Sequence, residues 1–164
     1  MHAYTTAGWD SFFVAEVGAS AALVGLLFLS VSINLTRILS FPQLPGRAAE
    51  TMIILIGVLV NASLALVPGQ PPAGLALEML AVGLFVWAYP IYLQRRTARG
   101  PGAPPRAMVI RVLTHQLATA PMLFAGLSLL ARWGGGLYWL VPGTIFSFSA
   151  GLVNAWVLLV EIQR

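Results

Sequence analysis

The sequence predicts an all-α membrane protein, a bundle of five transmembrane helices. Three observations carry that reading. Of the 164 residues 59% are hydrophobic and only 9% charged, where a soluble domain carries about a quarter. The mean hydropathy is +0.86. The apolar residues also gather into five stretches, each close to the roughly 20 residues that carry a helix across the hydrocarbon core. Five acids and nine bases cannot cover so much apolar volume with a water-facing surface, and a disordered chain has far less to bury. The solvent of this chain is lipid.

The spans are predicted at residues 12–35, 50–67, 73–93, 107–131 and 137–161, within a single transmembrane domain 1–164. The first is expected to be a retained span and not a signal peptide, because Asp10 and no basic residue precedes it and its apolar stretch is long. Asp10 itself reads as an anchor or a helix cap. In GASAALVG, Gly18 and Ala22, and Ala21 and Gly25, stand four apart, and small residues at that interval let two helices approach closely. This face is expected to serve packing within the subunit or a homo-oligomer contact.

Tight turns follow at residues 40–46 (SFPQLPG), 67–74 (VPGQPPAG) and 133–136 (WGGG), while 94–106 (QRRTARGPGAPPR) forms a longer basic loop. Its Arg95, Arg96, Arg99 and Arg106 read as topology determinants or as contacts to anionic lipid or a membrane partner. Pro90 and Pro121 interrupt spans three and four, where a missing amide donor kinks a helix.

Short cytoplasmic loops carry the basic excess. Arg37 and Arg47 lie between spans one and two, the arginine cluster between three and four, and Arg164 after span five, whereas the opposite connectors hold only Arg132. The N-terminus is therefore expected outside and the C-terminus in the cytoplasm. Trp9, Trp133, Tyr138 and Trp139 then fall at the outer headgroup level and Trp87, Tyr89, Tyr92 and Trp156 toward the inner one.

Burying a charge in hydrocarbon costs several kcal/mol, so each ionisable residue inside a span needs a reason. Glu16 and Glu78 lie at similar depth in spans one and three, and His115 lies near the middle of span four beside Gln116. Asn61 and Asn154 occupy equivalent places in an echo, LVNASLALV at 59–67 against LVNAWVLLV at 152–160, with Thr51 and Thr144 also in step. The echo fits an inverted repeat of spans one and two against four and five, or a chance match of apolar sequence. Glu16, Glu78, His115, Asn61 and Asn154 form a candidate proton or cation pathway, since carboxyl and imidazole groups exchange protons; the same groups serve equally as interhelical glue. Glu50 and Arg111, at the inner ends of their spans, snorkel to the interface or pair there.

Enzyme chemistry finds no support. HExxH, GxSxG and P-loop patterns are absent. With no cysteine and two histidines, the sequence offers no thiolate or bis-histidine site, and neither a metal nor another cofactor is expected. A pI near 10.4 without any nucleic-acid-binding motif gives no reason to expect nucleic acid.

The stretches AALVGLLFLSVSINL at 21–35, LPGRAAET at 44–51 and LVPGQ at 66–70 resemble a family of small bacterial integral membrane proteins, some labelled "modulator of FtsH protease". The resemblance covers roughly the first 70 residues and implies a bacterial inner-membrane protein of unassigned role. The expected function is a small oligomeric proton or cation channel or transporter; the alternative is a non-conducting accessory subunit that binds a larger membrane complex.

Overall fold

A computed structural model describes residues 2–41, 44–97 and 105–159. All regular structure among them is helical: α1 (Asp10–Ile33), α2 (Leu35–Ser40), α3 (Leu44–Ala65), α4 (Pro72–Thr97), α5 (Pro105–Ala131) and α6 (Leu140–Leu159), with single 3-10 turns at His2–Tyr4 and Gly136–Trp139. Five helices are long and apolar enough to cross a bilayer, the architecture of a multi-pass membrane protein.

The span positions hold, with informative differences at the ends. Helix α1 stops at Asn34, whose side-chain amide donates to the Ser30 carbonyl at 3.3 Å and to the Leu158 carbonyl of α6 at 2.9 Å. The chain turns there into the short α2 and does not continue the span to residue 35. Helix α3 starts at Leu44, six residues before the expected position, with Pro45 in the first turn, where a missing amide costs nothing. Helices α4 and α5 likewise extend into the basic segment expected to be loop, to Thr97 and from Pro105. Asp10 is the first residue of α1 and not its cap: the cap position is Trp9, which makes no side-chain capping bond. An acid in a first turn still suits the helix dipole.

The five long helices close into a ring in the order α1, α3, α4, α5, α6, with α3 and α6 also touching across the middle. Because consecutive spans run antiparallel, the arginines 37, 47, 95 and 111 share one end of the bundle and Trp9, Trp133, Tyr138 and Trp139 the other. At this aromatic end the interior is packed solid by Phe13, Met79, Ala125, Leu129, Leu137 and Leu140. Trp9 is buried there, packing on Phe12, Phe13 and Tyr138, while Trp133, Tyr138 and Trp139 stay exposed.

The 133–136 turn depends on glycine. Gly134, Gly135 and Gly136 all have positive φ, and the Gly136 backbone abuts Ala3 so closely that no side chain fits. The Gly135 amide donates to the Tyr4 hydroxyl at 3.3 Å, docking the 3-10 turn at His2–Tyr4 onto the α5–α6 connection.

Candidate functional site

At the basic end the ring opens. A cavity of about 560 Å³ lies between α5 and α6, floored by α3 and reached by Gln94 of α4, a volume within the range of small-molecule sites. The α5–α6 seam is tight deeper in the bundle, where a side-chain carbon on Gly143 would sit 3.4 Å from both Pro121 and Met122. Toward the basic end the seam parts. Ile110 and Leu117 on one rim and Phe146 and Val153 on the other line the cavity while remaining exposed, so it opens sideways as well as endwise.

Its polar wall is an ordered network. Arg111 donates from Nε and Nη2 to the two oxygens of Glu50, at 2.9 and 2.5 Å, and the Gln94 amide donates to the same carboxylate at 3.3 Å. Glu50 is buried, and two donors with one counter-charge are what such a carboxylate requires. Beside it Arg47 Nε donates to Asn154 Oδ1 at 2.9 Å, Asn154 Nδ2 to Thr51 Oγ1 at 2.7 Å, and Thr51 to the Arg47 carbonyl at 3.0 Å. Arg47 is half-buried. Among the described residues one ion pair forms, Arg111 with Glu50, and no carboxylate lies within ion-pair distance of Arg47. The wall thus holds two guanidinium groups against one carboxylate.

The expected pathway is only partly assembled. His115 lines the cavity, with Nε2 on the Trp87 carbonyl at 3.2 Å and Nδ1 without a partner. Asn154 lies in the network. Glu16 is buried on the other side of α6 with Thr144 as hydrogen-bonding partner, and its Oε1 has none. Asn61, also buried, meets Met122 Sδ at 4.0 Å and leaves its Oδ1 unpartnered. Glu78 stands apart: it is exposed at the aromatic end and held by the Gln70 side chain of the preceding turn. Depth along α4 matched that of Glu16, but rotation about the helix axis turned it outward.

The small-residue face of α1 does no packing within this subunit. Gly18, Ala21, Ala22 and Gly25 are all exposed, and no atom lies within 4 Å of where a side chain on either glycine would begin. Close helix approach is made instead at Gly126 of α5, which lies against the backbone of Leu80 in α4. Arg95 is exposed; Arg96, Arg99 and Arg106 lie outside the residues whose side chains are described.

Sequence reasoning assigned Arg47 to topology alone and missed its place in the site. The available signal was Arg47, Glu50 and Thr51 at one-turn spacing, facing the Asn154 whose echo partners had already been noticed. Of the two readings of Glu50 and Arg111, snorkelling or pairing, the structure shows the pair. Compared with protein-family models, curated proteins and solved structures, the chain matches none.

Proposed function

We propose that this chain is a small proton-coupled carrier of a bacterial inner membrane, with its N-terminus outside and its basic end in the cytoplasm. The observation that supports the reading is the position of the cavity: a polar cleft at the basic end is lined no deeper than Ile54, Leu117 and Phe146, and the aromatic end is filled by Phe13, Met79, Leu129 and Leu140. A channel needs a continuous route, whereas a cleft closed on one side suits binding followed by rearrangement. Two guanidinium groups at the cleft repel metal cations and leave the proton as the coupling ion. Glu16, the buried carboxyl with an unpartnered oxygen in the closed half, is its proposed carrier. The exposed small-residue face of α1 supports assembly as a homo-oligomer.

Proton flux tests the reading. Protein in liposomes of bacterial polar lipid should dissipate an imposed pH gradient faster than empty liposomes, with Glu16→Gln abolishing the effect and Glu78→Gln leaving it intact. Wild-type flux equal to that of empty liposomes at every pH and potential overturns it, as does sensitivity at Glu78 without sensitivity at Glu16. The same bare α1 face favours a second reading, an accessory subunit docked on a larger membrane complex. That reading predicts crosslinks from Ala22→Cys to a different protein and not to a second copy.

A further inference from the structure

The lining of the cleft changes with depth. Arg47, Glu50, Arg111 and Asn154 form one level near the basic end. Ile54, Leu117 and Phe146 line it four to eight residues deeper than Glu50, Arg111 and Asn154 on their own helices, about 6 to 12 Å at the rise of a helix. A charged level with a mostly apolar lining beneath it, broken by Thr114, His115 and Ser149, follows the order of groups in a lipid lying in its leaflet. The exposed rims at Leu117 and Val153 leave a side entrance from the bilayer.

Charge narrows the choice. Arg47 is half-buried, among the described residues no carboxylate lies within ion-pair distance of it, Glu50 acts on it only from farther away, and a guanidinium withdrawn from water favours an anion in contact. A phosphodiester supplies one negative charge and two oxygens suited to the guanidinium fork. A zwitterionic headgroup adds an ammonium, for which the described residues of the wall offer no free carboxylate, because both Glu50 oxygens are taken by Arg111.

We infer that the cleft binds one anionic phospholipid, its phosphate on Arg47 and one acyl chain in the α5–α6 seam. The lipid is the carrier's substrate class; that word alone rests on the proposed function, and binding stands on the geometry without it.

Native mass spectrometry of the purified full chain tests this, with phosphatidylglycerol and phosphatidylethanolamine of matched acyl chains as probes. One phosphatidylglycerol per chain should bind about tenfold more tightly than phosphatidylethanolamine, the scale of one charge-assisted contact. Arg47→Gln should level the two, Arg95→Gln should preserve the preference, and Val153→Trp on the exposed rim should weaken both by narrowing the seam. Equal binding of the two lipids by wild type overturns the inference, as does a preference unchanged in folded Arg47→Gln. Displacement by millimolar inorganic phosphate or by oleate assigns the site to a free anion or a fatty acid and also overturns it. Should Arg47→Gln fail to fold, undiminished lipid binding by Val153→Trp is decisive against it. Lipid selectivity without proton flux rejects the carrier and keeps the lipid site; flux without lipid selectivity does the reverse.

Discussion

Glu50 and Arg111 clasp each other through two hydrogen bonds across the cleft, joining α3 to α5, which are not neighbours in the helix ring. The pair acts as a strut. It holds the open end of the bundle at a fixed width, and with Gln94 it ties three helices to a single carboxylate.

Removing one end of the strut should cost more than removing both. Glu50→Gln or Arg111→Gln alone should destabilise by about 2 kcal/mol, between the buried and surface cases because the Arg111 side chain is 23% exposed. The double replacement by leucine should recover most of that loss. Thermal unfolding in detergent, followed by tryptophan fluorescence, reads all three.

The two echoed asparagines should respond in opposite ways. Asn154→Leu breaks bonds to Arg47 and Thr51 and should cost about 1 to 3 kcal/mol. Asn61→Leu removes a buried amide whose oxygen has no partner, and should be neutral or stabilising. Equal losses at both sites would restore the case for matching roles.

Two glycines give a second contrast. A side-chain carbon at Gly126 would lie 2.9 Å from the Leu80 amide nitrogen and 3.0 Å from its Cα, so Gly126→Ala should cost about 1 to 3 kcal/mol in forced separation of α4 and α5. Gly18→Ala meets nothing within 4 Å and should be tolerated in the isolated subunit, with a helix-propensity gain of up to about 1 kcal/mol. Gly18→Leu should dissociate the proposed homo-oligomer without unfolding the chain, which native mass and thermal unfolding together test.

Orientation is open to direct labelling, because the chain has no cysteine. Ala73→Cys, exposed at the aromatic end, should react with a membrane-impermeant maleimide on intact bacterial cells, whereas Ser40→Cys, exposed at the basic end, should react only after lysis. The opposite pattern would invert the topology and move the cleft to the outer face.

The spans were legible because lipid demands long uninterrupted apolar stretches, and Pro or Gly marks their turns. Which face of a span meets protein was not. In α1 apolar side chains point to lipid and to core alike, so no periodic pattern separates Phe13, fully buried, from Val14, 60% exposed. The same blindness put Glu78 in the interior and left it open whether Gly18 packs within the subunit or outside it. Depth could be counted along the chain, which is why pairing was one of two readings open to Glu50 and Arg111, but the network around Arg47 required knowing that α6 turns Asn154 toward α3. The basic end also misled as loop, since Arg and Gln are good helix formers that leave the membrane without breaking the helix.

The bond from Gly135 to Tyr4 joins residues 131 positions apart. During synthesis Tyr4 is made long before its partner, and the dock for it exists only once the α5–α6 turn has emerged on the same side of the membrane. Closure of this latch is therefore a late event of assembly with high contact order. A chain whose last hairpin inserts in the wrong sense strands Gly135 on the far side from Tyr4, so the latch closes only when an even number of crossings separates the two.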